Sequence, residues 1–299
     1  MKKLLFTGGT GFLGFNCKPI LEKEYSITTC GITDRDDIRS DLSKEVPSLP
    51  EKYDVVLHAC GKAHIVPRTE EEKRSFYDVN YQGTVNLCSG LEKAGPPQAL
   101  IFISTASVYG VDEGTMITED HPLKAESPYG KSKIMAEEFL QKWSKEHHVI
   151  LTILRPSLMA GKNAPGNLGA MVNGIKKGYY VNIAGGAARK SLLMAEDIAK
   201  IIPLVEDKGG IYNICDNTHP SYKELSEVIA RQLGRRPPFS IPYWMARILA
   251  VLGDWAGNRL PFNSYRLDKL TKTVTLSNEK ARRELGWTPM ETLSSIVVN

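Results

Sequence analysis

The sequence predicts an α/β protein with a doubly wound parallel sheet and a smaller carboxy-terminal lobe. Short apolar runs alternate with helical stretches through the first half of the chain, as they do in βαβ units. A glycine-rich turn follows the first apolar run directly and opens a helix. Beyond residue 155 the alternation gives way to shorter elements separated by glycine and proline. We therefore expect one domain over residues 1–160 and a lobe over residues 161–299, interleaved with the last strands of the sheet.

Five apolar runs predict the first strands, and the stretches between them have apolar residues three to four positions apart, which predicts helices. The predicted strands are Lys3–Thr7, Ser26–Ile32, Asp54–His58, Ala99–Ser104 and Ile150–Arg155, and the helices between them are Phe12–Glu24, Glu70–Ala94 and Ser127–His147. The later elements are a strand at Gly210–Ile214 and helices at Ala195–Val205, Tyr222–Gly234, Trp244–Leu252 and within Ser277–Pro289. We expect right-handed crossovers and the strand order 3-2-1-4-5-6.

The composition indicates a globular protein and argues against several other classes. The 299 residues carry 38 Lys and Arg against 34 Asp and Glu, a mild surplus that suits an anionic small ligand better than a nucleic acid. The five cysteines are scattered without a CxxC spacing, so we expect no disulfide framework, no metal site and a reducing cytoplasm. The longest apolar stretch, at 241–256, contains Arg247 and Asp254 and is shorter than the roughly 20 residues of a membrane span.

The stretch 242–255 has a helical stripe of large apolar residues. The stripe consists of Trp244, Ile248, Leu252 and Trp255. Packing within the core or the lobe is the ordinary interpretation of such a stripe. A dimer contact or a peripheral membrane patch is the alternative.

The turn at residues 8–14, GGTGFLG, stands between the first strand and the first helix. Glycines there allow a tight turn, a close approach of the backbone to a pyrophosphate, and tight packing of the helix, which predicts a site for NAD or NADP. The choice between the two stays open. Gly31 stands where an NAD site usually offers an acid to the ribose, and Arg35 is either a contact for a 2′-phosphate or a solvated charge.

A tyrosine and a lysine at the start of the helix 127–147 predict proton transfer. Tyr129 and Lys133 are four residues apart and therefore share one face of that helix. We expect the ammonium of Lys133 to lower the pKa of the phenol and make it a usable acid or base near neutral pH. The preceding strand ends in a run of hydroxyl residues, Ser104-Thr105-Ala106-Ser107, which would lie beside the cofactor crevice.

With these motifs the chain resembles the extended short-chain dehydrogenase/reductases, in the nucleotide-sugar epimerase/dehydratase group, and the resemblance covers essentially the whole chain. The motifs that carry it are GGTGFLG at 8–14, DL at 41–42, DVVLHACG at 54–61, VNYQGT at 79–84, STASVYG at 104–110, YGKSK at 129–133, LRP at 154–156, YNI at 212–214 and ELGWTP at 284–289. The resemblance implies a dinucleotide-binding Rossmann domain, a substrate-binding lobe, a nucleotide-sugar substrate and a homodimer.

The same resemblance implies the roles of individual residues. Tyr129 would be the acid/base, Lys133 its electrostatic partner and a ribose ligand, and Thr105 a hydrogen-bond partner of the reacting oxygen. The cofactor would contact Gly8, Gly11, Phe12, Leu13, Gly14, Arg35, Asp41, Leu42, His58, Ala59, Cys60, Lys62, Asn80, Ser104, Tyr129, Lys133 and Pro156. The substrate would contact Ser107, Asn167, Leu168 and either Arg189 or Lys190.

Two departures from the family's patterns narrow the activity. The dehydratases of the group place Asp-Glu after the threonine, and this chain has Ala106 and Ser107 there, so we expect no dehydration. The stretch 156–158, PSL, lacks the asparagine of the galactose-type epimerases, and the stretch 62–67 is more like a subgroup that acts at C4 of nucleotide-linked N-acetyl sugars. We therefore expect a C4 epimerase. The alternatives are an NADPH-dependent 4-keto reductase and, in another class, a dinucleotide-sensing protein without catalysis.

Overall fold

A computed structural model describes residues 1–63, 65–256 and 263–298. In the first part of the chain the elements are β1 (Lys2–Thr7), α1 (Phe12–Leu21), β2 (Tyr25–Gly31), β3 (Ile38–Arg39), β4 (Val55–His58), α2 (Glu70–Tyr77), a π-helical turn (Asp78–Gln82), α3 (Gly83–Ala94), β5 (Ala99–Ile103), a 3₁₀ turn (Ala106–Tyr109), β6 (Gly114–Ile117), α4 (Pro128–Glu146), β7 (Ile150–Pro156) and β8 (Leu158–Ala160). These follow the predicted order, with the 70–94 helix divided by the π turn.

The remaining elements are shorter and include only one strand of the main sheet. They are α5 (Gly166–Lys177), β9 (Asn182–Ile183), a 3₁₀ turn (Ala184–Gly186), β10 (Leu192–Met194), α6 (Glu196–Val205), β11 (Gly210–Ile214), α7 (Tyr222–Gln232), β12 (Ser240–Ile241), α8 (Tyr243–Ala256), α9 (Ser264–Thr271), β13 (Val274–Leu276), α10 (Glu279–Leu285) and α11 (Thr292–Ser295). None of the helices within the described ranges is long and apolar enough to cross a bilayer.

The central sheet has seven strands in the order β11-β7-β5-β4-β1-β2-β3, all parallel. Numbered along the chain, this is 3-2-1-4-5-6-7. The expected order is wrong in one respect, because the predicted third strand, 54–58, is β4 and lies beside β1. The place beside β2 is taken by the two-residue β3, which apolar periodicity did not indicate. The order reverses where β1 lies between β2 and β4. The carboxyl ends of β1 and β4 therefore open the crevice in which doubly wound folds bind ligands.

Alternating side chains of the sheet enter two separate cores because helices cover both of its faces. On β1, Leu4 and Phe6 pack with residues of α1, α6 and α10, whereas Leu5 packs on the opposite face with residues of α3 and α4. All three side chains are fully buried. The predicted α/β class with a doubly wound parallel sheet is thus confirmed.

The lobe is built from α5, α7 and three small parallel pairs, β8–β10, β9–β12 and β6–β13. The last pair joins a segment of the first part of the chain to the end of the chain, with Val274 beside Gly114. These pairs are only two to four residues long, so apolar periodicity did not indicate them. The lobe therefore lies against the carboxyl edge of the sheet, next to the crevice.

Candidate active site

The glycine turn brings α1 close to the ends of β1 and β4. Gly8 has a φ of 74°, and a Cβ on it would lie 3.0 Å from the backbone of Cys60. A Cβ on Gly14 would lie 1.7 Å from the carbonyl oxygen of Gly9, which leaves no room for any side chain at this contact between helix and turn. The backbone of the turn is therefore exposed toward the crevice as a dinucleotide fingerprint requires.

The amino terminus of α1 is free to receive an anion. Gly11 is the N-cap residue, and among the described residues no side chain caps the helix and no acid stands in its first turn. The amides of Phe12, Leu13 and Gly14 have no partners within the helix because of their position at its start. These amides and the helix dipole fit the diphosphate of a dinucleotide, which these residues and Gly11 would hold.

Asp36 is a cofactor candidate that the sequence analysis missed. Its carboxylate lies against Gly31, where a Cβ would be 2.7 Å from Oδ2, and it accepts hydrogen bonds from the hydroxyls of Thr10 (3.1 Å) and Thr33 (2.7 Å). The other oxygen, Oδ1, is buried without a partner among the described residues. A buried carboxylate oxygen without a donor beside the glycine turn fits the ribose hydroxyl of a dinucleotide.

The other predicted residues near the adenosine end lie around this carboxylate. Arg35 is exposed, and its guanidinium reaches the carbonyl of Thr10 at 3.5 Å. The carboxylate of Asp41 accepts hydrogen bonds from Ser43 and pairs with Lys44 at 2.9 Å, which together lower its pKa. Leu42 is buried, and its carbonyl accepts a hydrogen bond from Asn86. Asp41 and Leu42 therefore fix the loop, since both carboxylate oxygens of Asp41 and the carbonyl of Leu42 are engaged within the protein.

His58 holds the loop after β4 and does not act as a base. Its Nδ1 lies 2.7 Å from the hydroxyl of Thr7, and its Nε2 lies 2.9 Å from the hydroxyl of Thr84. The Thr84 hydroxyl donates to the carbonyl of Asn80, so His58 donates through Nε2 and accepts at Nδ1. Burial lowers the pKa of the imidazole to about 3, with a smaller effect from Lys133, so His58 is neutral at neutral pH.

Asn80 joins that loop to the helix of the tyrosine. Its amide exchanges two hydrogen bonds with the backbone of Lys62 and donates a third to the hydroxyl of Ser132 at 2.9 Å. Ser132 in turn donates to the carbonyl of Tyr129 at 2.8 Å. Asn80 lies in the π-helical turn, a distortion that is frequent at functional sites. Asn80 therefore fixes the loop after β4 relative to the helix that carries Tyr129.

Tyr129 and Thr105 meet at the end of β5. Burial raises the pKa of the Tyr129 phenol, and the neighbouring Thr105 hydroxyl opposes this shift with a smaller effect. The ring of Phe76 packs 6.2 Å away, centroid to centroid. The expectation that Lys133 lowers the pKa of Tyr129 is therefore wrong. The reason is geometric, because the Lys133 ammonium is directed elsewhere.

The ammonium of Lys133 donates to the carbonyl of Ile103 at 2.8 Å and lies 4.4 Å above the ring of Phe102. Burial lowers its pKa to about 8, and the charges of Cys60 and Glu137 oppose this shift. A Cβ on Gly61 would lie 3.4 Å from Nζ, so the backbone after β4 passes directly over the lysine. Lys133 is thus well placed to hold a ribose hydroxyl at the floor of the crevice.

Behind Lys133 lies a buried polar network that the sequence analysis also missed. Glu137 and Arg155 form an ion pair at 2.6 Å, with 0% and 4% of their side chains exposed. The hydroxyl of Ser104 donates to Glu137, so its side chain faces the protein interior and not the crevice. Arg155 also reaches the hydroxyl of Tyr109 at 3.2 Å. Two signals were present: Glu137 continues the spacing of Tyr129 and Lys133, and Arg155 ends an otherwise apolar strand.

The remaining predicted cofactor contacts lie at strand ends. Ala59 and Cys60 donate from their backbone amides to Thr7, and Pro156 is buried at the end of β7. Burial raises the pKa of the Cys60 thiol. These three residues present mainly backbone to the crevice. Within residues 1–63, 65–256 and 263–298, no cluster of three or more His, Cys, Asp or Glu side chains is arranged to hold a metal ion.

The predicted substrate residues come from separate parts of the fold. Ser107 is exposed in the 3₁₀ turn, and Asn167 is exposed in the first turn of α5. Leu168 is 2% exposed and packs in the lobe core, so its side chain is not available to a ligand. The Arg189 guanidinium is held by the carbonyl of His219 at 2.8 Å and by Glu224 at 3.4 Å.

Lys190, the alternative to Arg189, is the better placed of the two cations. It is more deeply buried than Arg189, and burial lowers its pKa to about 8. The charge of Lys269 lowers that pKa further, and the charge of Asp112 opposes it. The backbone of Lys190 pairs with Val274, which in turn pairs with Gly114 of β6, so Lys190 lies at the β6–β13 pair.

Comparisons with known proteins agree with this geometry. The NAD dependent epimerase/dehydratase family matches residues 4–215. The N-acetyl-α-D-glucosaminyl-diphospho-ditrans,octacis-undecaprenol 4-epimerase of Escherichia coli O157:H7 is 27% identical, over 97% of this chain and 92% of its own. The UDP-glucose 4-epimerase of Vibrio cholerae is 27% identical, over 98% of this chain and 92% of its own.

Solved structures show the same fold. The UDP-glucose 4-epimerase of Stenotrophomonas maltophila with bound NAD and formylated UDP-arabinopyranose has a TM-score of 0.76 and 18% identity, covering 99% of this chain and 96% of its own. RMD of Pseudomonas aeruginosa, complexed with NADPH, has a TM-score of 0.75 and 20% identity, and the match covers 98% of this chain and 95% of its own. The chain belongs to the NAD dependent epimerase/dehydratase family, as an enzyme of the extended short-chain dehydrogenase/reductase type that uses NAD or NADP.

Proposed function

We propose that the enzyme epimerises C4 of a nucleotide-linked hexose or N-acetylhexosamine through a 4-keto intermediate. The observation that carries the proposal is the placement of the Tyr129 phenol, from the start of α4, beside the Thr105 hydroxyl that follows β5. Both groups can meet one substrate hydroxyl. Relatives named as 4-epimerases support the same reaction at C4.

In this mechanism the protein binds, orients and moves a proton. Tyr129 takes the proton of the C4 hydroxyl and returns it after the keto sugar has turned over, and Thr105 holds the C4 oxygen during both steps. Lys133 fixes the cofactor ribose, and Lys190 attracts the diphosphate of the substrate. When bound, the cofactor supplies the acceptor and donor of the C4 hydride.

The positions after Thr105 support epimerisation over dehydration. Ala106 and Ser107 have no carboxyl group, so they cannot remove the C5 proton or protonate a leaving C6 hydroxyl. Incubation with dTDP- and GDP-linked hexoses should accordingly give no 4-keto-6-deoxy product. Appearance of that product at about 1 per second or faster would show that the acid/base groups are assigned wrongly.

The runner-up function is reduction of a 4-keto nucleotide sugar by NADPH. Deuterium at C4 separates the two activities. An epimerase returns the C4 epimer with the label retained and consumes no added cofactor, whereas a reductase leaves the labelled sugar unchanged and consumes NADPH only with a keto sugar. The third hypothesis, a dinucleotide sensor without catalysis, predicts neither result, and the placement of Tyr129, Thr105 and Lys133 argues against it.

The assay should use UDP-glucose, UDP-N-acetylglucosamine and an N-acetylglucosaminyl-diphospho-polyprenol, because the relatives are named for substrates of these kinds. Tyr129→Phe is the control, since it keeps the ring and removes the ionisable oxygen. Conversion by the wild type and its loss in this variant would support the proposal. A wild type that carries bound NAD and turns over none of the three substrates would contradict it.

A further inference from the structure

Helix α8 presents its large apolar side chains to solvent and its small ones to the protein. Ala246 and Ala250 are fully buried, and Gly253, one turn further along, is buried as well. The opposite side, which we call the α8 face, is exposed over 40% to 93% of each side chain. Its members are Trp244, Met245, Ile248, Leu249, Val251, Leu252 and Trp255. An ordinary surface helix of a globular protein has the reverse orientation.

The small residues hold the helix firmly in this orientation. Ala246 and Ala250 pack in a cluster with Ile183 and Leu267, from β9 and α9. The strand before the helix, β12, pairs with β9 in parallel register, Ile241 beside Ile183. Helix α8 is therefore fixed to the lobe that carries Asn167 and Lys190. Turning the α8 face inward would require breaking this packing.

Exposed arginines lie on α8 and in the segment that precedes it along the chain. Arg247 is exposed on the helix itself, and Arg235 and Arg236 are exposed in the segment that leads into β12. Asp254, the one acid of the helix, accepts hydrogen bonds from Ser264. The net charge also differs between the two parts of the chain. Residues 161–299 contain 19 Lys and Arg against 12 Asp and Glu, whereas residues 1–160 contain 19 against 22.

We propose that the α8 face docks on the surface of an anionic phospholipid bilayer. An amphipathic helix with tryptophans on its apolar side and arginines at its border lies in the headgroup region, where apolar burial and attraction to anionic lipids act together. Tryptophan suits this region because its ring is apolar and its N–H bonds to water or headgroups. A second copy of the chain would bring the same positive charges to this face, whereas an anionic bilayer neutralises them.

The inference goes beyond the proposed function and holds for either activity at C4. Docking would keep the lobe, and with it the substrate side of the crevice, at the membrane surface. Catalysis on a water-soluble nucleotide sugar does not require it. Loss of docking and loss of activity are therefore separate observations.

The four tryptophans of the chain make the docking directly measurable. Trp143 and Trp287 are 3% and 2% exposed, whereas Trp244 and Trp255 are 63% and 93% exposed. Full-length enzyme is mixed with vesicles of phosphatidylcholine alone or with phosphatidylglycerol, and sedimentation and indole emission are recorded. We expect binding to the anionic vesicles, a shift of emission to shorter wavelength, quenching by brominated acyl chains, and weaker binding as salt is raised.

Ile248→Glu/Leu252→Glu tests the α8 face, and Val297→Glu, at a 54% exposed residue of the same lobe, is the matched control. The double variant should lower vesicle partitioning about 10-fold or more, because it removes two apolar side chains from the buried area. The control should bind as the wild type does, and both should keep full activity on a soluble substrate. Arg235→Ala/Arg236→Ala should reduce binding to anionic vesicles only.

Three outcomes would overturn the proposal. The first is that the wild type does not bind anionic vesicles and its indole emission does not change. The second is that Ile248→Glu/Leu252→Glu binds the vesicles as well as Val297→Glu does. The third is an emission shift that follows protein concentration without vesicles, together with dimers in sedimentation velocity that Ile248→Glu/Leu252→Glu abolishes. That result would assign the α8 face to a second copy of the chain.

Discussion

Glu137 and Arg155 meet through two hydrogen bonds in the interior, from Nε to Oε1 at 3.2 Å and from Nη2 to Oε2 at 2.6 Å. The pair joins α4 to β7 one turn beyond Lys133. Its geometry is that of a bidentate guanidinium–carboxylate contact, which is the strongest form of the interaction.

Removing one partner of this pair should destabilise the protein more than removing both. Glu137→Met leaves Arg155 as an uncompensated buried charge, at a cost of about 3–5 kcal/mol in the free energy of unfolding. Arg155→Met should act similarly, and the double variant should recover part of the loss because no charge stays buried. Urea unfolding of the four proteins measures this cycle. Single variants that each cost less than about 1 kcal/mol would contradict it.

Tyr129→Phe should lower turnover by about 10²–10⁴-fold with folding and cofactor binding intact, because it removes a general acid/base and no packing. Thr105→Val should keep part of the activity and move the phenol-dependent limb of the rate–pH profile to higher pH. The sign follows from the position of Thr105: its hydroxyl beside the phenol lowers the pKa of Tyr129, so removal of the hydroxyl raises that pKa. An unchanged limb in Thr105→Val would remove Thr105 from the proton-transfer step.

Lys133→Met should abolish activity and yet stabilise the cofactor-free protein at pH 7. Burial lowers the pKa of Lys133 from its ordinary 10.5 to about 8, so the unfolded chain holds this proton more tightly than the folded one. The buried ammonium therefore lowers the free energy of unfolding by its full amount below pH 8, and this destabilisation disappears as the pH rises to 10.5. The difference in Tm from wild type should shrink over the same interval. Lys131→Met, at an exposed neighbouring position, should show neither effect.

Asp36 and Arg35 should set the choice between NAD and NADP in opposite directions. Asp36→Asn keeps the acceptors for Thr10 and Thr33 but removes the charge that repels a 2′-phosphate, so affinity for NADP relative to NAD should rise about 10-fold. Arg35→Ala should weaken NADP alone. Calorimetry with both cofactors measures the ratio, and Asp34→Asn, at an exposed acid paired with Arg39, is the control. A ratio that moves equally in Asp34→Asn would refute the assignment to Asp36.

Lys190→Met should raise KM for the nucleotide sugar about 10-fold with little change in kcat, since it removes a partly desolvated cation from the diphosphate. Arg189→Met should have a smaller effect because its guanidinium is engaged by His219 and Glu224. In the wild type KM should rise above pH 8 as Lys190 loses its proton. Steady-state kinetics against pH measures all three. The reverse ranking would restore Arg189 as the diphosphate ligand.

Local patterns were sufficient to predict six of the seven strands of the central sheet and the glycine turn. The turn 8–14 and the pair Tyr129–Lys133 each lie within one short segment, so their spacing alone indicated what they would form. The crossover rules leave few arrangements of βαβ units. The expected order still failed at one place, because the two-residue β3 is too short for apolar periodicity to indicate.

Features that depend on contacts between distant segments were not predictable in the same way. Asp36 reaches the crevice only because its loop folds back on Gly31. The pKa of Tyr129 rises because Phe76, from another helix, helps to bury the phenol, and no sequence spacing reports burial. The partnership of Glu137 with Arg155 needs α4 and β7 to be packed together first.

The neutral His58 makes folding of this protein a proton-releasing reaction. The imidazole has an ordinary pKa of 6.5 in the unfolded chain and about 3 in the native loop between Thr7 and Thr84. Below pH 6.5 each chain must give up this proton to fold, and the requirement grows more costly until the pH reaches about 3. The contribution of His58 to the stability of the cofactor loop is therefore greatest at neutral pH. Acidification reduces it, because protonation of the imidazole is incompatible with the hydrogen bond that it accepts at Nδ1.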